Sequence, residues 1–181
     1  MSTITKKALA TSLKKLMNST PLDKITVKSI VSDCGVNRQT FYYHFQDVYD
    51  LLGYIYKTEV IANISDCKSY DTWESGFLKV FHYVKENKKL CMNTLNSLGR
   101  DHLETFLHNE VFKLLIDVVD EVAQGHNVSD LNKKFIADFY TFAFIGTLIS
   151  WMKNDMKESP ESIIHNIDTL IKGNIKKAFM N

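Results

Sequence analysis

The sequence predicts an all-α fold: an N-terminal three-helix head carrying a helix-turn-helix, followed by a larger helical body. Three observations predict it. Apolar residues recur at helical spacing in almost every segment, and only 2 prolines occur among 181 residues to interrupt them. Glycine and asparagine stand where one helix should end and the next begin, at Gly35 and Asn37. The formal charge is also uneven. Residues 1–46 hold Lys6, Lys7, Lys14, Lys15, Lys24, Lys28 and Arg38 against Asp23 and Asp33, which leaves +5; with +1 overall, the remainder carries −4. A basic front end on a mildly acidic body suits nucleic-acid binding confined to one end.

The first helix is expected from about Thr3 to Asn18, with Leu9, Leu13, Leu16 and Met17 as its buried stripe and Lys7, Lys14 and Asn18 opposite. Lys6 and Lys15 read as a solvated face. Ser19-Thr20-Pro21 stops this helix. In the next, Val27, Ile30, Val31 and Cys34 recur on one face, Thr26 stands at the N-cap, and Gly35 can leave through a left-handed conformation. Asn37 caps a third helix that turns Phe41 and Phe45 inward and leaves Arg38, Gln39, Thr40, Tyr42, Tyr43 and His44 for the surface. Such a run at a helix start can reach base edges and phosphates, and Lys28, beginning the preceding helix, can hold a phosphate.

Asp47 and Asp50 resemble a capping pair, and a linker helix is expected over 47–65. A polar loop from Ser65 to Asp71 ends it. Trp73, Phe77, Val80, Phe81 and Val84 mark an amphipathic helix; a short one follows near 89–97, and a long one spans roughly Asp101 to Gln124. The helix from Leu131 to Asn154 is apolar on two opposed sides: Phe135, Phe139, Phe142 and Ile149 on one, Tyr140, Phe144, Leu148 and Trp151 on the other. A helix of that kind must be covered twice. Ser159-Pro160 starts a last helix with Ile163, Ile167, Leu170, Ile171 and Ile175 as its stripe.

The stretch Thr26 to Phe45 resembles the helix-turn-helix of TetR-family transcription regulators, with Thr26, Ile30, Gly35, Val36, Thr40, Tyr42, His44 and Phe45 on the family pattern without a gap. The run from Val36 to Asp47 is similar to the subgroup of dihydroxyacetone kinase operon activators. The resemblance implies a DNA-binding domain over 1–46 and an effector-binding and dimerisation domain over 47–181. Its implied partners are a double-stranded DNA operator, a second copy of the chain, and either a small-molecule effector or a protein co-regulator. Thr26, Lys28, Asn37, Arg38, Gln39, Thr40, Tyr42, Tyr43 and His44 are then the expected DNA-binding residues. Tyr140, Phe144, Leu148 and Trp151 are the expected dimer face, and Phe77, Phe81, Leu107, Val111, Phe135 and Phe139 the expected effector pocket. The family's phosphate-binding lysine at the linker start is replaced here by Val48; Gln46 and the helix's free N–H groups are its expected substitutes.

No catalytic constellation stands out, so an enzyme is not expected, and neither a metal nor another cofactor is implied. His82 with Glu86 and Glu104 with His108 stand one turn apart, as metal ligands can, which keeps a metal- or small-molecule-sensing regulator as an alternative. A helical protein-interaction module that has lost DNA binding is the other. Cys34, Cys67 and Cys91 are widely spaced and imply no disulfide framework. There is no signal-peptide pattern, and the apolar stretch 142–152 is shorter than the roughly 20 residues a bilayer span needs, so a cytoplasmic protein without a membrane partner is expected.

Overall fold

The computed structural model describes residues 2–64, 66–67 and 69–171, and the described residues form helices and turns with no strand. They divide into two compact units, Met1–Val60 with Asn87–Glu104, and Ile61–Glu86 with Thr105–Asn181.

In the first unit α1 (Ser2–Met17) packs on α2 (Val27–Cys34), α3 (Arg38–His44) and α4 (Val48–Tyr56). Leu9, Leu13, Ile30, Phe41, Leu51 and Ile55 are fully buried and make its core. Leu16, expected in the buried stripe, is half-buried. Ser12 is buried instead, because its hydroxyl finds a partner: it donates to the Ile30 carbonyl at 3.0 Å. Beyond α4 the helix widens into a π-helical turn, Lys57–Ile61, before one more short helical segment, α5 (Ala62–Ile64). The Thr58 hydroxyl donates to the Tyr54 carbonyl at 2.8 Å, drawing that acceptor outward and loosening the regular ladder. Helical structure thus runs from Val48 through Ile64, and Ser65, the last position expected for a linker helix, lies outside the described residues.

The first unit extends beyond residues 1–46: it takes in the chain to Val60 and, through α7 (Lys88–Leu95), residues 87–104. The Asn93 amide accepts from the Leu22 N–H at 2.8 Å and donates to the carbonyls of Met17 (2.9 Å) and Thr20 (2.8 Å). These backbone groups sit where α1 ends and a short 3₁₀ turn, Leu22–Lys24, begins, so no helix ladder satisfies them. The Leu98 N–H donates to Asp23 (3.0 Å), and Tyr56 and Thr94 share a buried hydroxyl–hydroxyl bond of 2.9 Å. At Gly99 a Cβ would lie 2.6 Å from the Tyr49 ring, so any larger residue would push that ring aside.

The second unit contains α6 (Trp73–Glu86), most of α8 (Arg100–Val122), α9 (Asp130–Lys153) and α10 (Pro160–Ile171). Ser129 caps α9 by accepting the Asn132 N–H, and Ser159 accepts the Ser162 N–H at the head of α10. Ile175, expected to extend the α10 stripe, lies outside the described residues.

The packing of α9 reverses the expected assignment of its faces. Phe144, only 3% exposed, stacks on Phe77 with ring centroids 3.8 Å apart, and Trp151 lies 5.0 Å from Phe81. Leu148 is buried as well, so Phe144, Leu148 and Trp151 belong to the chain's own core and cannot form an exposed dimer face; Tyr140 is half-buried. Phe135 and Phe139 are 70% and 60% exposed, so they do not line a cavity with Phe77, Phe81, Leu107 and Val111. The space beside Phe77 and Phe81 is taken by Phe144 and Trp151.

By length and composition α9, with 24 residues, is apolar enough to cross a membrane, which the shorter 142–152 stretch is not. Seven of its residues, from Ala137 to Met152, are nonetheless buried against the chain itself. Removing one of these inner aromatics tests the reversed assignment. Phe144→Ala should cost about 3–5 kcal/mol in denaturant unfolding, the usual loss for a buried phenylalanine that leaves a cavity. Phe135→Ala should cost under about 1 kcal/mol, as expected for an exposed site.

Candidate nucleic-acid interface

Three local devices fix the angle between α2 and α3. Thr26 has extended backbone angles and caps α2 reciprocally: its hydroxyl accepts the Ser29 N–H at 3.2 Å, and the Ser29 hydroxyl accepts the Thr26 N–H at 3.0 Å. Gly35 takes φ 72° and ψ 27°, a left-handed conformation in which any side chain is strained. That conformation lets the Val36 N–H return to the Val31 carbonyl at 3.0 Å. Asn37 then opens α3, its side-chain oxygen accepting the Thr40 N–H at 2.7 Å and the Thr40 hydroxyl at 2.9 Å.

With the angle set, burial sorts the side chains of α3. Phe41 is wholly buried and Phe45 nearly so, and their rings lie 5.9 Å apart. Arg38, Gln39, Tyr42 and Tyr43 are exposed, Tyr43 by 82%, while Thr40 and His44 are half-buried. Tyr43 and His44 meet edge to face at 4.9 Å. Thr26, Lys28 and Asn37 are exposed too. Thr26, Asn37 and Thr40 hold the caps described above, and Lys28, Arg38, Gln39, Tyr42 and Tyr43 present exposed side chains.

At the start of α4, carboxylates take two of the N–H groups. Asp47 accepts the Asp50 N–H at 2.8 Å, and Asp50 accepts the Gln46 N–H at 3.0 Å. Two carboxylates thus occupy the place where free N–H groups were expected to meet phosphate. Two of the seven basic side chains in residues 1–46 are also engaged: Lys14 pairs with Glu59 at 2.7 Å and Lys15 with Asp33 at 2.5 Å. The Lys15 hydrogen bond lowers the Asp33 pKa from its ordinary value. Sequence reasoning missed Ser29 as the second half of the cap, although a hydroxyl three residues after a threonine N-cap is a readable signal.

The pairs that could have bound metal go elsewhere. His82 approaches Glu161 at 3.1 Å, His108 approaches Asp138 at 3.3 Å, and Glu104 pairs with Arg100. Among the described residues no cluster of three or more His, Cys, Asp or Glu is placed to hold a metal ion. Burial pushes the Cys91 thiol up to about 12, against smaller opposing effects, which keeps it a neutral core group.

A second surface stands out on α9 and α10. Phe142 and Leu170 flank an open groove of about 670 Å³, floored in part by Gly146, Ser150 and Ile167. Leu131, Phe135 and Phe139 continue the exposed apolar stripe along α9.

Residues 71–173 match the TetR family described as a transcriptional regulator C-terminal region. Over 141 residues, 76% of this chain and 74% of the relative, the sequence is 30% identical to the HTH-type dhaKLM operon transcriptional activator DhaS of Lactococcus lactis subsp. lactis strain IL1403. The chain belongs to the TetR family of transcription regulators. TetR-type regulators bind DNA operators and act as dimers, and they are regulators rather than enzymes. The solved structure of a dihydroxyacetone kinase operon activator DhaS superposes with a TM-score of 0.73 at 27% identity, covering 96% of this chain and 97% of that one. The fold extends to NalD, the secondary repressor of the MexAB-OprM multidrug efflux pump in Pseudomonas aeruginosa. That structure has a TM-score of 0.65 at 11% identity and covers 93% of this chain and 95% of that one.

The Asn37 cap generates a direct test. Asn37→Ala should destabilise the protein by about 0.5–2 kcal/mol, the usual cost of a lost N-cap, as read from the denaturant midpoint. Asn37→Asp keeps the acceptor and should lose little. If both lose equally, the cap is not what orders the first turn of α3.

Proposed function

We propose that residues 1–46 are an operator-reading head and residues 47–181 a controlling and dimerising body. One observation carries the reading: the capped turn at Gly35–Asn37 leaves Arg38, Gln39, Tyr42 and Tyr43 exposed on a basic unit while Phe41 and Phe45 anchor α3 from behind. Arg38 and Gln39, in the first turn of α3, suit the major groove, where arginine can donate twice to guanine and glutamine can pair with adenine. Lys28, Thr26, Tyr42, Tyr43 and His44 suit phosphate and sugar contacts that fix the register. Likeness to the DhaS activators supports a role in activating a dihydroxyacetone kinase operon in the cytoplasm. The packing of Phe144 and Trp151 beside Phe77 and Phe81 favours control by a protein co-regulator over control by an apolar small molecule.

The dimer in this reading forms through the outward side of α9 and α10. Exposed Phe139, Phe142 and Leu170 supply apolar area, and Gly146 and Ser150 let a neighbouring helix approach closely. Phe139→Glu with Phe142→Glu should give folded monomers in sedimentation, because pairing would bury unpaired charge. An intact dimer would move the interface elsewhere.

Selection of bound duplexes from a random DNA pool tests the operator reading, followed by binding to point-mutated versions of the selected site. Arg38→Ala should cost about 1–3 kcal/mol at that site and relax preference at one base position. Lys28→Ala should weaken all duplexes about equally. If Lys28→Ala changes base preference and Arg38→Ala does not, the two helices have been assigned to groove and backbone the wrong way round.

A further inference from the structure

Counting which cations of the head are spoken for singles out one that sequence reasoning dismissed. Lys14 and Lys15 are neutralised by Glu59 and Asp33. Lys6 has no carboxylate partner among the described residues, and its ammonium is not adrift. It stands 5.7 Å from the centre of the Phe45 ring and 5.6 Å from that of Tyr54, within the range where a ring face attracts a cation. The two rings are 5.4 Å apart and form a platform, so the side chain is half-buried and its head is already positioned.

The platform lies at the right end of the unit. Lys14 meets Glu59 and Lys6 meets Tyr54, so α1 and α4 run side by side in the same direction, and their N-terminal ends lie together. Phe45 is the residue that closes α3, directly after His44. Lys6 therefore holds its charge beside the residue that closes α3, against the flank of α4. The acidic start of α4, with Asp47 and Asp50 holding the local N–H groups, supplies no cation there.

We propose that Lys6 is a phosphate clamp of the operator-reading head, held on the Phe45–Tyr54 platform so that little side-chain freedom is lost on binding. The inference rests on the DNA-binding reading above and adds a contact from α1 to it. The clamp reads no bases. It contributes affinity and salt dependence equally on every sequence.

The test is the salt dependence of binding by the full chain to two labelled duplexes, one selected by the protein from a random pool and one of mixed sequence. Each phosphate contact contributes about 0.9 to the slope of log affinity against log salt, so Lys6→Gln in both subunits should lower that slope by about 2. Between 50 and 200 mM salt the wild type should then lose about tenfold more affinity than the variant, on both duplexes. Lys6→Arg should keep the slope, and Lys15→Gln, which removes an already paired charge, should leave it unchanged. A Lys6→Gln slope equal to wild type overturns the clamp, even with weaker binding, since that pattern marks a packing role. An equal fall in Lys15→Gln overturns it too, because the effect would then be general charge. A wild type with no salt-dependent duplex binding overturns the DNA-binding reading itself, which is a different result.

Discussion

The head depends on one backbone reversal, the left-handed Gly35 between two capped helices. At φ 72° it ends α2 and returns the Val36 N–H to the Val31 carbonyl, and two residues later Asn37 begins α3. The angle this fixes decides which side of α3 meets α1. Phe41 and Phe45 are one turn apart, so once one is buried the other is too, and the residues between them must point out. Exposure of Arg38, Gln39, Tyr42 and Tyr43 follows from the burial of two phenylalanines. The exposed face and the core are thus two sides of α3 and its C-cap, and neither can be shifted without the other.

The head was legible because its signals are local. Caps, a glycine and a short apolar period act within a few residues, and all were readable in order. The faces of α9 were not. Both sides carry aromatics, and hydrophobic periodicity shows that a side is apolar without showing what covers it. A subtler pattern distinguishes them. Ala137, Thr141, Phe144, Leu148 and Trp151 follow one another at alternating steps of four and three, the spacing of a continuous helix–helix seam. Thr141 disguises that seam, yet it is fully buried at no cost in unmet hydrogen bonding, since its hydroxyl donates to the Ala137 carbonyl at 2.7 Å. Phe135 and Phe139, larger and more apolar, looked like the better core and lie outside it.

Nor was the attachment of α7 to the head visible in sequence, for a different reason. Asn93 lies more than 70 residues from the groups it bonds, and a lone asparagine in a short helix carries no pattern. What fixes it there is a deficit on the other side. The chain between α1 and the 3₁₀ turn leaves backbone groups that no helix satisfies, and an amide side chain has both donor and acceptor to offer. The same segment adds Thr94 against Tyr56 and Leu98 against Asp23. The N-terminal helices are therefore held in place by hydrogen bonds from residues 93 to 98.

Charge shows the same gap between composition and structure. The formal +5 of residues 1–46 treats seven basic side chains as equivalent, but their surroundings make them unequal. Lys14 and Lys15 are held by carboxylates in half-exposed or exposed pairs, which water screens and which add little to stability. Their greater effect is on direction. Lys14 ties α1 to the π-helical turn that carries Glu59, and Lys15 ties it to the end of α2 through Asp33. Each ion pair also withdraws a cation from any encounter with phosphate. A lysine over aromatic rings differs in this respect, because a ring face attracts the charge without cancelling it. The number of phosphates a head can hold is set less by how many lysines it has than by whether their neighbours are carboxylates or rings.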